Sequence, residues 1–189
     1  MTRDDGDDDD GTASRAPASG AGESDRALIV LDMTLERFRG PEALDGAAGI
    51  VRFVQGELRY FRERGRTVVF AHDETSSVVI QELTPRSDER VLKKPSPSAF
   101  FATDLDAQLQ QRHIRRVTLV GLETHTAVLL TAADALARGY EVVVPDPCVF
   151  ARDAAAHAAA LSLLREHWPR AWNRARTSEV THPSVVLPL

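Results

Sequence analysis

The side chains able to carry chemistry fall in a few short stretches. Asp32 closes the apolar run Ala27-Leu28-Ile29-Val30-Leu31. A carboxyl in that position either caps a turn by accepting local N–H groups or works as a reactive acid or base. Partial burial raises such a carboxyl towards neutrality and a nearby cation pulls it back. Lys94, four residues before Ser98-Ala99-Phe100, is one candidate cation. The stretch Gly121-Leu122-Glu123-Thr124-His125-Thr126-Ala127-Val128 puts a carboxylate, two hydroxyls and an imidazole between two apolar segments. Threonine hydroxyls need a dedicated base to act as nucleophiles, and in a helix-opening turn they more often cap backbone N–H groups. His125 reads equally as a site residue or as a satisfied polar residue on a buried first turn. Cys148 is the single cysteine, which excludes an intrachain disulfide and a cysteine-based zinc site. It follows the last apolar run, where it either approaches the same edge or is an inert buried thiol.

The elements that must position these groups alternate in type. Ala27 to Leu31, Thr67 to Ala71, Val117 to Val120 and Glu141 to Val144 are short, apolar and rich in β-branched residues, the pattern of strands buried on both faces. Between the first two, Ile50, Phe53, Val54, Leu58 and Phe61 form a helical stripe closed by Gly65. Thr103 is a candidate N-cap for a helix over Asp104 to Arg112. Residues 126 to 138 are apolar nearly all round, predicting a helix buried on several sides, with Gly139 as its stop. A further alanine-rich helix is expected from Ala154 to His167, before Pro169. Strands alternating with helices predict a three-layer α-β-α Rossmann-like α/β fold around a mostly parallel central sheet. Ligands of such sheets bind beyond the carboxyl ends of the strands. The chemistry is therefore expected at Asp32 to Phe38, His72 to Ser76, Gly121 to Ala127 and Asp146 to Phe150.

Taken in order, Ala27 to Met33, Lys94 ahead of Ser-Ala-Phe, Gly121 to Val128 and Gly139 to Asp146 make the chain resemble the isochorismatase-like hydrolases, also called the cysteine hydrolase superfamily, over residues 27 to 181. The resemblance implies a reactive trio of Asp32, Lys94 and, at the position of Ala127, a cysteine. A methyl group has neither lone pair nor ionisable proton, so covalent thiolate catalysis cannot run there. In the vinyl-ether hydrolases of the family a small Gly stands at that position with a His two residues earlier, and His125 with Ala127 is similar. By that resemblance Asp32 is a general acid that protonates an enol-ether carbon so that water adds to the oxocarbenium ion, and Lys94 positions and stabilises charge. The resemblance also implies that Phe38, Leu122, Glu123, His125 and Ala127 bind substrate, that Phe100 lines the pocket, and that the Leu122–Glu123 peptide is cis. Where the vinyl-ether branch has Trp-Arg-Tyr, this chain has Pro95-Ser96-Pro97, without the arginine that would grip a substrate carboxylate. The nicotinamidase branch builds a metal site from an Asp-x-His pair and a further His, a pattern absent around His72-Asp73. No metal and no cofactor are expected.

Two functions follow as expectations. One is a hydrolase of a small metabolite working by Asp32/Lys94 acid-base chemistry without a cysteine nucleophile. The other is a catalytically silent relative, a pseudoenzyme that binds a small metabolite or a protein partner and keeps Asp32 and Lys94 as an ordering ion pair. A homo-oligomer is expected. Composition bounds the rest. Of the 189 residues, the first 24 hold seven acids against two arginines, a balance of −5 that equals the net charge of the whole chain. The body is thus neutral and offers no phosphate-tracking surface, which argues against nucleic acid as a partner. Residues 1–24 contain no large apolar side chain and are expected to be a disordered acidic tail, leaving 25–189 as the hydrolase-like domain. No secretory signal pattern or membrane-length apolar run is present in this sequence, so a cytoplasmic protein is expected.

Overall fold

Every residue of β1 (Arg26–Leu31) from Ala27 onward is buried, because the strand is central and covered on both faces. Ala27, Ile29 and Leu31 point into one core, and Leu28 and Val30 into the other. The pleat therefore turns a continuous apolar run into two packed surfaces. The computed structural model describes residues 25–76 and 78–167. The stretch read as an acidic tail, and the chain beyond His167 with Pro169, lie outside them.

The expected strands are β1, β2 (Thr67–Asp73), β4 (Arg116–Leu122) and β5 (Glu141–Val143). Two more complete the sheet, β3 (Arg90–Lys94) and β6 (Val149–Phe150). The order is β3-β2-β1-β4-β5 with β6 against β4, and all the strand pairs are parallel. β3 escaped the reading because, as an edge strand, it buries only Leu92 and Lys94 among its five residues. The helix α1 (Ala48–Glu63) covers one face through Ile50, Val54, Leu58 and Phe61. It ends where Gly65 takes φ of 59° and lets the Arg66 N–H reach back to the Phe61 carbonyl at 3.0 Å. The other face carries α2 (Leu105–Gln111), α3 (Leu129–Ala137) and α4 (Ala154–His167). Thr103 does accept the Leu105 N–H, at 3.3 Å, but α2 starts one residue later than expected.

The helix predicted over 126 to 138 is corrected in two respects. Thr124–Val128 form a π-helical turn, and regular α-helix begins only at Leu129. Nor is α3 enclosed all round, since Leu130 is 45% exposed.

Strand order reverses between β1 and β4, and at such a switch point the loops part to leave a crevice. The two strands approach most closely at Gly121, whose φ is 126° and where a Cβ would fall 2.0 Å from the Leu31 carbonyl oxygen. Backbone cannot yield as a flexible side chain does, so Gly121→Ala forces β1 and β4 apart one residue before Asp32. We expect a loss of at least ~2 kcal/mol from overpacking and the left-handed φ together. A urea-unfolding midpoint unchanged from wild type would show that the strands can slide apart freely.

Candidate active site

Asp32 leaves the end of β1 with φ of 54°, and Glu123 leaves the end of β4 with φ of 59°. Left-handed backbone at a residue other than glycine is uncommon and concentrates at functional sites. Lys94 ends β3 and Asp73 ends β2, opposite one another in the sheet register. Three neighbouring strands thus deliver a carboxylate, an ammonium and a second carboxylate to one edge. The Lys94 Nζ lies 3.0 Å from Asp32 Oδ2 and 3.0 Å from Asp73 Oδ1. The lysine side chain is 1% exposed and that of Asp32 4%, whereas Asp73 is 37% exposed.

The Ser-Ala-Phe segment fixes this lysine from behind. The Ser98 hydroxyl donates to Asp134 at 2.5 Å and the Ala99 N–H donates to the Thr131 hydroxyl at 3.1 Å, both on α3. The loop leaving β3 is thereby tied to the helix that follows the Gly121–Val128 turn.

Burial is the largest influence on Asp32 and holds its carboxyl up at about 6, against an ordinary 3.8; Lys94 opposes the rise and Asp73 adds to it. Its second oxygen, Oδ1, is buried with no hydrogen-bond partner among the described residues. A buried acceptor costs free energy until something bonds it. Both features suit a group that exchanges a proton with a bound molecule near neutral pH.

A charged rim extends from this centre. Arg37 contacts Asp73 at 3.3 Å and Glu123 at 3.8 Å, and Glu123 lies 3.9 Å from His125 Nδ1. That nitrogen too is buried without a hydrogen-bond partner. Arg37, Glu123 and His125 line an open cavity of about 570 Å³ together with Arg152 and Asp153 at the start of α4. Asp73 and Arg37 lie in stretches expected to hold chemistry, yet neither was singled out for a role. Position at a strand's carboxyl end was the available signal.

Several expectations are revised. Among the described residues no peptide bond is cis, so the Leu122–Glu123 bond is trans, and the left-handed Glu123 makes the sharp exit from β4 instead. The Glu123 carbonyl accepts the N–H groups of Thr126 and Val128 at 3.0 and 3.3 Å, which takes those two donors from any anionic ligand. Leu122 is wholly buried in the α1-side core, against which the partly buried Phe38 packs. Side chains alternate along a strand, and Leu122 shares the face of Val120. Phe100 lies in the opposite core, its ring 5.9 Å from that of Tyr140. Ala127 is 2% exposed at the π-helical turn.

Thr124 has a neighbouring base, His157 of α4, whose Nδ1 lies 2.9 Å from the hydroxyl. Burial lowers the His157 pKa and so favours the neutral ring. Thr124, however, is 0% exposed, so this pair fastens α4 to the turn and presents no nucleophile. Cys148 is buried in the α1-side core, and its thiol is pushed up by burial first and then by Glu57, which keeps it protonated and inert. The buried His72 sets its Nδ1 3.0 Å from the Asp73 carbonyl oxygen.

Comparison with known proteins places this geometry in context. The isochorismatase domain family matches residues 26–171. The secreted isochorismatase effector Isc1 of Verticillium dahliae is 26% identical over 149 residues, which span 72% of this chain and 78% of Isc1. An uncharacterized isochorismatase family protein of Bacillus subtilis, YddQ, is 30% identical over 137 residues, 65% of this chain and 76% of its own. Among solved structures, N-carbamoylsarcosine amidase from Thermoplasma acidophilum superposes with a TM-score of 0.68 at 30% identity, covering 74% of this chain and 90% of the amidase. Among the described residues no helix is long and apolar enough to cross a membrane.

Proposed function

Because the chain belongs to the isochorismatase family, we propose that it hydrolyses a small metabolite by acid-base chemistry through Asp32 and Lys94, with no covalent intermediate. One observation carries this reading. The Asp32 carboxyl is 4% exposed, sits 3.0 Å from Lys94, is held up at about 6, and keeps one oxygen unbonded. Ala127 stands where the resemblance puts a nucleophilic cysteine, and its methyl group supplies neither electron pair nor proton.

In the cycle so proposed, the protonated Asp32 gives its proton to the alkene carbon of an enol ether, leaving an oxocarbenium ion. Water adds to the cationic carbon and returns a proton to the Asp32 carboxylate. The hemiketal then expels the alcohol and becomes a ketone. Lys94 keeps the proton-depleted Asp32 anionic between these steps and is itself held by Asp73. His125 and Glu123, on the cavity side, are placed to orient the water or the leaving oxygen.

A general acid is active in its protonated form, so kcat/KM should fall as pH rises through about 6. A panel of vinyl-ether and amide carboxylates, assayed between pH 5 and 8, tests this. Iodoacetamide should leave turnover unchanged, because Cys148 is buried. Inactivation by that reagent would move the chemistry to Cys148, and a rate that climbs with pH through 6 would make Asp32 a base.

A second reading has its own support. Asp32 and Lys94 are 3% and 1% exposed as residues, while the open cavity is lined by Arg37, Glu123, His125 and Arg152. A protein that only binds a small metabolite at this rim would keep the Asp32–Lys94 pair as a strut. A compound that raises the melting temperature but survives prolonged incubation intact would favour this alternative.

A further inference from the structure

A second cavity, of about 130 Å³, opens at the other end of the sheet, where β2 and β3 begin. Thr67 and Val68 of β2 run on before the first β3 pairing, Val69 with Arg90, which leaves a notch at the sheet edge. The ends of α1 and α2 wall it. Five arginines line it, Arg62, Arg66, Arg86, Arg90 and Arg112, against two acids, Asp88 and Glu89.

The acids do not neutralise it. Glu89 is already spent, since its two oxygens accept from Arg62 at 2.7 Å each and one also takes the Arg86 backbone N–H at 2.8 Å. Asp88 is exposed. Arg90 pairs with Asp104 at 3.2 Å in solvent. The side chains of Arg86 and Arg112 make no hydrogen bond or ion pair among the described residues. The carboxyl ends of α1 and α2 bring roughly half a negative charge each, which with Asp88, Glu89 and Asp104 leaves a net positive charge of about one. The surroundings reinforce it. The nearby Arg26 is depressed below its ordinary pKa by burial and then by repulsion from Arg116 and Arg66.

We propose that this cavity is a binding site for a small phosphoryl-type oxyanion, gripped by Arg86 and Arg112. Guanidinium forks match phosphate oxygens two at a time, and the two forks of Arg86 and Arg112 together carry the charge a phosphate dianion needs. The volume is well below the roughly 300–1,000 Å³ that encloses a drug-sized ligand, so the site takes an ion or one charged headgroup. It lies at the end of the sheet opposite Asp32 and does not depend on the proposed hydrolysis.

Isothermal titration of the full chain with inorganic phosphate, at pH 7.5 and constant ionic strength, tests the proposal. One phosphate should bind to wild type, and the Arg86→Gln/Arg112→Gln double variant should bind at least tenfold more weakly. Both arginines are exposed, and circular dichroism should confirm an unchanged fold. The charge-matched Arg39→Gln/Arg52→Gln variant, both exposed and outside the cavity lining, should bind like wild type. Equal weakening in the two double variants would reduce the effect to net charge, and no weakening in the first would remove the site; either overturns the proposal.

Discussion

Asp32→Asn should slow hydrolysis at least ~100-fold, the usual contribution of a positioned acid or base, and should leave the folded protein more stable at pH 7.5. The two effects have one cause. In the folded state the carboxyl titrates near 6, above its ordinary 3.8. Below pH 3.8 both folded and unfolded chains hold the proton, and the site costs nothing. As pH rises from 3.8 to about 6 the unfolded chain releases its proton first, so stability falls, by about 3 kcal/mol across that window. Asparagine has no proton to release and avoids that loss, and Lys94 keeps Asp73 as its partner at 3.0 Å. Urea unfolding at pH 4 and 7.5, beside turnover measurements, reads both effects. Normal turnover in the Asn variant would make Asp32 structural and remove the proposed reaction. A variant less stable than wild type at pH 7.5 would mean that the Asp32–Lys94 contact outweighs the burial of the carboxylate.

Lys94→Met is the complementary case, and here the folded state itself should suffer. The ammonium lies 3.0 Å from both carboxylates, and methionine fills its volume without its charge. At pH 8 this leaves an ionised Asp32 buried beside Asp73, and breaking a buried pair in this way costs ~3–5 kcal/mol. At pH 5 Asp32 takes up a proton and much of the penalty disappears. The stability gap between wild type and variant should therefore widen as pH rises from 5 to 8. An equal gap at both values, measured by urea unfolding, would show that Lys94 contributes packing and no electrostatic anchor.

The pH dependence also separates Asp32 from the other carboxyl raised by burial among the described residues. Glu57 is raised to about 7 by burial. Its influence on stability should persist in Lys94→Met, whereas that of Asp32 should change.

Much of the fold was legible because the sheet is parallel and central. Burial on both faces demands unbroken apolar runs, and those of β1, β2 and β4 stand out at once; α1 announced itself through Ile50, Val54, Leu58 and Phe61 at helical spacing. Asp32 and the Gly121–Val128 turn were legible as chemistry because they follow readable strands, and Lys94 because it stands ahead of Ser-Ala-Phe in the family resemblance. What stayed hidden depends on neighbours far apart in the chain. β3 reads as polar because an edge strand in this sheet buries few of its residues. The left-handed backbone at Asp32 and Glu123 falls where β1 and β4 end side by side, close to the Gly121 approach to the Leu31 carbonyl.

By itself, then, the order of residues determined which side chains are present, that Asp32 and the Gly121–Val128 turn follow parallel strands, and that the side chain of Ala127 is no nucleophile. The tertiary structure alone decided that Lys94 lies between Asp32 and Asp73, that Thr124 is locked to His157, and that Leu122 is wholly buried in the core. Local sequence sets backbone preference and polarity, whereas distance and desolvation come from contacts such as the 62 positions between Asp32 and Lys94. It is desolvation that turns an ordinary carboxyl into one poised near neutral pH.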